Sequence, residues 1–388
     1  MRRGRETISA IIIGGGIAGL TTALALKNAG LGATVFEQAP AITELGAGLT
    51  LWSNAVHALD ELGLRREILA SASVLRKTVS LMLSSGRGGS IDLEKLADRF
   101  GAPSICIHRG RLQSILLAAL GDENVRTGCA CIHAEQAGNR VRAHFRNGTD
   151  AEADFLVAAD GIRSGIRRQL HPQAAIRHAG YLSWRGIARR SEVDPPSAGQ
   201  NLTFFGAGSQ AAVLECGTDY LFWYVTRNGP PKPSESASGK KAEIMRLIQG
   251  WPKALTRCIE ATPPESILET DILDLPPLST WGVGRTTFAG DAIHATTPNL
   301  GQGACMGIED GLVLGRCFSN GRDVEECLRD YEGRRKPRTD WIVRESFRIG
   351  RVLQLENGLA VKLRDALFTT PLAQWAGERT FARMMKFE

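Results

Sequence analysis

The 388-residue sequence predicts an α/β fold: a Rossmann-like dinucleotide-binding domain, a β-sheet domain inserted into it, and helices toward the C-terminal end. Three observations predict it. The stretch "SAIIIGGGIAGLTTALALKNAGLGATVFEQAP" reads strand, glycine turn, helix, strand. A β-rich region follows from about residue 177 to 274, and the chain beyond about Ala304 is mostly helical.

The first unit is justified by periodicity. "SAIII" is short and apolar, and the helix from about Ile17 to Asn28 carries Leu20, Ala23 and Leu24 on one face. Gly30 and Gly32 end that helix, and "ATVFEQ" is the next strand. A loop and helix follow in "ELGAGLTLWSNAVHALDELGL", then the strand-like "TVSLMLSS" and a helix from about Arg109 to Leu120. Residues 125–160 read as short strands ending in "ADFLVAADG". In the β-rich region, "GYLSWRGIARR", "NLTFFGAG", "QAAVLECG" and "YLFWYVTR" are strands, and "NGPPKPSESASGKK" is a surface loop. A helix from about Lys241 to Gly250 and two further strands lead to "GDAIHATTPNLGQGACMGIED". The nucleotide-binding domain is therefore expected from residues 1–74, 101–175 and 276–340, the sheet domain from 75–100 and 176–275, and a C-terminal helical segment from 341–388.

Composition narrows the function. Hydrophobic content of 43% and charged content of 23% are those of a soluble globular chain, and no apolar run is long enough to span a bilayer. The basic start "MRRGR" runs into a strand rather than a signal peptide, so a cytoplasmic protein is expected. The net charge of +6 is scattered, and its densest cluster, "EGRRKPR", lacks interleaved aromatics, which argues against nucleic acid as a partner. Eight cysteines form no C-x-x-C pair and no Cys/His metal spacing, so they read as buried thiols and no metal is expected.

Gly14-x-Gly16-x-x-Gly19 is the first chemical motif. Gly14 permits the turn, Gly16 lets backbone approach a pyrophosphate, and Gly19 lets helix pack on sheet. Glu37 follows eighteen residues after Gly19 at a strand end, where a carboxylate accepts hydrogen bonds from ribose hydroxyls. The second motif is "VAADGIRSGIRR", with Asp160 ending a buried strand. The third is "GDAIHATTPNLGQGACMGIED".

Together with "GAGLTLWSNAVHALDELGL", "IHRGRL" and "YLSWRG", these motifs resemble, in order and over nearly the whole chain, the group A FAD-dependent aromatic monooxygenases. Within that group the chain looks most like the urate hydroxylases and the zeaxanthin-epoxidase-like members. The resemblance implies the GR2-type, para-hydroxybenzoate hydroxylase fold, with FAD as cofactor and NADH or NADPH as a transient reductant. It implies that Gly14, Gly16, Ala18 and Gly19 form the phosphate loop, and that Glu37 and Gln38 meet the adenosine. Cys131 would meet adenine through its backbone, and Arg109 the phosphates or ribitol. Asp160 would lie near the phosphates and Asp291 would bind ribitol or pyrophosphate. Ala47, Gly48 and Thr50 would lie beside the flavin ring, and Gly301, Gln302, Gly303, Ala304 and Cys305 under its pyrimidine edge. Backbone N–H groups at a helix start suit the charge of reduced flavin there. Pro298 would stand at the reactive edge, and Arg185 beside the flavin or the nicotinamide. His294 reads as a structural hydrogen-bonding residue rather than a base.

The implied reaction consumes NAD(P)H and O2 and passes one oxygen, through a flavin C4a-hydroperoxide, to an aromatic or heteroaromatic small molecule. The alternatives are epoxidation of an isoprenoid alkene, and flavin binding without turnover. The expected pocket wall is Ser183, Arg185, Phe204 or Phe205, Gln210, Val213, Leu214, Phe222 and Tyr224, with Ser183, Gln210 and Phe222 as polar-register substrate contacts. The urate hydroxylases carry an arginine near position 210 and a tyrosine near 222. Gln210 and Phe222 here argue against urate and for a less anionic or more apolar substrate. The tail "AQWAGERTFARMMKFE" reads as a basic amphipathic helix, for packing on its own domain or for docking, and the chain as a monomer or homodimer.

Overall fold

The strand β1 (Ser9–Ile13) is the centre of a five-stranded sheet, parallel to β2 (Gly32–Phe36) on one side and to Phe155–Ala158 on the other. Ile11 to Ile13 are buried, as a strand covered on both faces requires, and this explains why "SAIII" shows no alternation. The helix α1 (Ile17–Asn28) crosses between them, burying Leu20, Leu24 and Leu26, each contributing about 1.5–3 kcal/mol. The outer strands of this sheet are Val125–Arg126 and Thr286–Phe288. These facts rest on a computed structural model, which describes residues 8–43, 46–193, 198–230, 237–319 and 323–387. The basic start "MRRGR" and residues 231–236 of the predicted surface loop lie outside the described residues, as do Glu44 and Leu45.

The strand β3 (Gly48–Leu51) pairs with Ser104–His108 and leads into α2 (Ser53–Glu61). A seven-stranded sheet then gathers Lys77–Met82 and Arg87–Asp92 with β4 (Arg177–Arg189), Gln200–Phe205, β5 (Gln210–Cys216), β6 (Tyr220–Asn228) and Leu268–Asp274. One face of it carries Trp184, Trp223, Val213, Phe204 and Val225 and is covered by helices Ala237–Leu247 and Lys253–Ala261. The sequence reading placed only the first of these two helices, about four residues late. The second lies in "PKALTRCIEA", between Pro252 and the pair Pro263–Pro264.

The C-terminal part begins with α3 (Gly303–Phe318) and α4 (Val324–Leu353). The expected boundary at residue 341 falls inside α4, a 30-residue helix that Pro337 does not interrupt. Two further helices follow, α5 (Gly358–Phe368) and α6 (Pro371–Met385). On α5, Leu359, Leu363 and Leu367 are exposed at helical spacing. No helix among the described residues is long and apolar enough to cross a membrane.

Candidate functional site

Two motifs about 270 residues apart meet because α3 presents a row of glycines to α1. A Cβ at Gly307 would stand 2.9 Å from the Ala18 Cβ, one at Gly311 would stand 2.7 Å from the Thr22 backbone N, and one at Gly315 would stand 2.9 Å from the Ala25 carbonyl oxygen. Spacing of four residues puts the three on one helix face. Gly290 completes the approach, since its Cβ would lie 2.7 Å from that of Ala18. Ala18, expected at the cofactor, thus serves the helix contact that brings the start of α3 beside the Gly14–Gly19 loop.

In that loop Gly14 has φ of 108°, and a Cβ there would lie 2.4 Å from the Ala159 carbonyl oxygen. A Cβ on Gly19 would lie 1.9 Å from the Gly14 oxygen, whereas one on Gly16 meets nothing within 4 Å. Packing therefore dictates Gly14 and Gly19, and Gly16 borders open space. The Glu37 carboxylate accepts from the backbone N–H of Gly15 (2.7 Å) and of Ala39 (2.8 Å). Each oxygen keeps a lone pair for a further donor. Gln38 beside it is exposed. Asp160 accepts from the Gly165 N–H at 2.8 Å through Oδ2, while its Oδ1 is buried with no partner among the described residues. Cys131 opens a strand, half-buried, and burial pushes its thiol up to about 11 although the backbone of His133 acts in the opposite direction.

The third motif forms a short helix Asp291–His294, a turn Pro298–Leu300, and then α3. Gly301 has φ of 63°, and its Cβ would lie 2.8 Å from the Trp52 indole nitrogen, which donates to the Leu300 carbonyl at 2.9 Å. The Gln302 side chain points away from the cleft: it exchanges hydrogen bonds with Asn54 and donates to the Met384 carbonyl at 3.2 Å. Cys305 is likewise buried, with Sγ 3.6 Å from the Gly301 carbonyl and a thiol pushed up to about 12, first by burial. Neither side chain is therefore turned toward the glycine loop, and only the backbone of these two residues is left for the expected contact. No side chain caps α3, and among the described residues no acceptor meets the N–H groups of Gly303, Ala304 or Cys305. Pro298 is exposed at the mouth of this turn. His294 is buried and bonds Asp310 Oδ2 at 2.6 Å, the oxygen that also accepts from the Gly290 N–H; it holds the motif together from inside.

Charge gathers here. Asp291 is exposed by surface area, with His294, Arg109 and Arg167 in its neighbourhood. Desolvation raises its pKa, and His294, Arg109 and Arg167 pull it partly back. Arg167, which sequence reading left unassigned, is buried and donates to the Ala292 carbonyl at 2.6 Å, with Nε unpartnered. Arg109 is exposed and its side chain makes no hydrogen bond or ion pair among the described residues. Arg185 donates to the Thr270 hydroxyl at 2.7 Å, has no carboxylate partner among the described residues, and leaves Nε unpartnered. Burial, then the proximity of Arg109, lowers its pKa.

The face of the seven-stranded sheet left open by helices Ala237–Leu247 and Lys253–Ala261 is fixed by register, and most of its residues are buried by other parts of the chain. Ser183 lies opposite Thr226, Arg185 opposite Tyr224, and Ile187 opposite Phe222; across β5, Leu214 faces Phe222 and Ala212 faces Tyr224. Opposed residues share a face, so Ser183, Arg185, Phe222, Tyr224, Gln210 and Leu214 lie together. Phe205 pairs with Gln210 on this face. Val213 and Phe204, also expected in the pocket wall, belong to the opposite face and pack under the helices. Phe222 presses on Gly48, where a Cβ would stand 2.3 Å from its Cγ, so sheet and β3 meet at this point. Ala47 is buried and Thr50 half-buried on the same short segment. Sequence reading missed Asn299, whose side chain joins Gln210, Tyr181, Thr297 and Ser346; its only sequence signal was its place after Pro298.

These residues fit FAD. Gly16 leaves open space at a helix start, the Asp160 Oδ1 is a buried orphan, the first amides of α3 are free, and two cations lack carboxylate partners. A family profile described as FAD binding domain matches residues 7–346. The chain is 34% identical over 361 residues to an aurachin C monooxygenase/isomerase of Stigmatella aurantiaca, covering 93% of each chain. It is 31% identical over 376 residues to an FAD-dependent urate hydroxylase of Klebsiella pneumoniae, covering 96% of each. Its fold superposes on the crystal structure of Klebsiella pneumoniae HpxO complexed with FAD and uric acid with a TM-score of 0.90 and 27% identity, covering 97% of this chain and 96% of that one. With this profile and these full-length likenesses, the chain belongs to the FAD binding domain family and is an FAD-dependent monooxygenase.

Proposed function

We propose that the protein hydroxylates a polar aromatic or heteroaromatic small molecule, with FAD held between the glycine loop and α3 and the substrate held against the open face of the seven-stranded sheet. The observation that carries the substrate side is that face itself. Phe222 offers an aromatic surface, while Arg185, Gln210, Ser183 and Tyr224 offer polar atoms beside it. A wholly apolar groove would suit an isoprenoid alkene; this polar set supports a ring bearing heteroatoms. For function we propose the division expected from the sequence, with its third cofactor segment extended to the end of α4: residues 8–74, 101–175 and 276–353 hold cofactor, and 75–100 and 176–275 hold substrate.

Bound FAD supplies the redox chemistry, taking reducing equivalents from NAD(P)H and activating dioxygen. The chain supplies position and charge. Glu37 holds the adenosine end, the Gly14–Gly19 loop the phosphates, and Asp291 the ribitol, with Arg109 balancing phosphate charge. The free amides of Gly303, Ala304 and Cys305 would meet the pyrimidine edge of a bound flavin and stabilise negative charge there. Pro298 shapes the reactive edge without offering an N–H. Arg185 holds an anionic group of the flavin or the nicotinamide cofactor, since no carboxylate of the described residues neutralises it. Burial raises the pKa of the Tyr224 phenol, so it stays protonated and donates rather than acting as an anion.

The test is a screen for substrate-stimulated NAD(P)H oxidation by the purified holoenzyme, with products weighed for one added oxygen. Oxidation that yields only hydrogen peroxide with every aromatic candidate would refute hydroxylation. Replacing Asp291 by Ala is expected to lower FAD occupancy after gel filtration by about tenfold or more, the size of one lost charge-assisted hydrogen bond. Unchanged occupancy would remove Asp291 from the cofactor site.

A further inference from the structure

We infer that Gln210 presents a fixed hydrogen-bond acceptor to the substrate, so that the enzyme takes neutral rings carrying an N–H or O–H donor at that edge. The inference rests on the proposed reading of the open sheet face as the substrate wall.

Two side-chain amides meet where β5 approaches the turn after Pro298, and their orientations follow from a backbone atom. The Asn299 side chain stands 3.2 Å from the Ser346 carbonyl oxygen, which only accepts, so the Asn299 atom there is Nδ2. The same nitrogen lies 2.8 Å from the Tyr181 hydroxyl and 3.0 Å from the Thr297 hydroxyl, so three acceptors compete for its two hydrogens. Burial pushes the Tyr181 phenol up to about 12, which keeps it neutral. The other terminal atom of Asn299 is therefore Oδ1, which only accepts. It stands 3.0 Å from the Gln210 amide, and the Gln210 atom facing it must be Nε2.

That leaves Gln210 Oε1. Among the described residues it meets no hydrogen-bond donor, yet it is not fully buried, so it keeps its lone pairs available on this sheet face. Turning the Gln210 amide over would set two acceptor oxygens against each other at Asn299. Turning Asn299 instead would set its oxygen on the Ser346 carbonyl. Neither rearrangement is available while the network stands, so Oε1 is an acceptor of fixed direction. The Gln210 backbone N–H is anchored as well, on the Thr226 hydroxyl at 3.0 Å. A ring carbonyl or anionic oxygen at this edge meets repulsion, whereas an N–H or O–H gains a bond. Asn299 is the positioning residue of this device and Gln210 the contact.

The experiment titrates FAD-loaded enzyme with 2-quinolone, 4-quinolone and 2-naphthol, each beside its N-methyl or O-methyl counterpart, and follows the flavin absorbance. At least one parent ring is expected to bind about tenfold or more tightly than its methylated form. In Gln210→Met that ratio should fall to near one with FAD content unchanged. In Asn299→Leu the ratio should narrow although Gln210 is intact, because the amide is free to turn; loss of contact alone at a merely structural residue would weaken both rings equally. Equal binding of parent and methylated rings to the unaltered enzyme overturns the inference and leaves the sheet face as substrate wall. A ratio that persists in Gln210→Met also overturns it, since the methyl group is then excluded by shape. If no ring perturbs the flavin, the substrate-wall reading itself fails.

Discussion

Gly301 combines two demands that a single methyl group would violate. Its φ of 63° is left-handed, and its Cβ position lies 2.8 Å from the Trp52 indole nitrogen. Gly301→Ala should therefore cost about 1–2 kcal/mol from backbone conformation alone, with displacement of Trp52 adding to it. Urea unfolding measures this, and an unchanged midpoint would show that the turn has another accessible form. Residues of this kind were legible in the sequence because the demand is local and only glycine meets it. Gln302 and Cys305 were legible as positions but not as directions. Their side chains turn toward Asn54, Met384 and the Gly301 carbonyl, partners set by tertiary packing rather than spacing. Asn299 was not legible, since its meaning lies in four neighbours drawn from three separate elements.

At the scale of elements, the βαβ unit could be placed from its periodicity to within a residue or two, because α1 and β1 are buried in ways that composition records. The row Gly307, Gly311, Gly315 was in plain sight at a spacing of four, yet carries meaning only once α1 is known to lie against it. The face of each strand in the seven-stranded sheet was half legible: Ser183, Gln210 and Phe222 share a face, but alternation alone could not choose between Phe204 and Phe205 or between Val213 and Leu214, and strand pairing puts Phe205 and Leu214 on that face. The junction of β3 with β6 is a test of packing between the two sheets. Gly48→Ala would drive a methyl into Phe222 and is expected to destabilise by about 1–3 kcal/mol. In the Phe222→Ala background the same change should cost far less, so a double-mutant cycle should return a favourable coupling energy. Additive effects would mean that the two residues are not in contact.

The whole molecule is closed by a buried charge network that joins the third motif to α4. Arg335 stands 2.8 Å from Asp310 and 2.7 Å from Glu309, with all three side chains fully buried. Arg338 pairs with Glu309 at 2.7 Å. The basic cluster "EGRRKPR", which looked like surface charge, is in part this internal frame; its two inward arginines are three residues apart on one helix face. Replacing Arg335 by Met leaves two carboxylates short of a partner and should cost about 3–5 kcal/mol in denaturant unfolding. A loss under 1 kcal/mol would mean that the acids find other partners. Burial alone would raise the pKa of Asp310, but His294 and Arg335 outweigh it and hold the carboxyl at about 2. Its folded pKa lies below the unfolded value of about 3.9, so its contribution is complete above that pH and is lost as pH falls toward 2. Acid unfolding followed from pH 5 to pH 2 should steepen in that window, and Asp310→Asn should flatten it. One bond in this frame also sets an order of events. Gln302 leans on the Met384 carbonyl, 82 residues further along the chain, and Arg338 donates to the same oxygen at 2.8 Å. While the protein is being synthesised, the Gly14–Gly19 loop and the turn at Gly301 both emerge from the ribosome well before α6 exists to brace them. The nascent chain thus completes its glycine loop early, and the residue after Gly301 gains its brace only once α6 has been made.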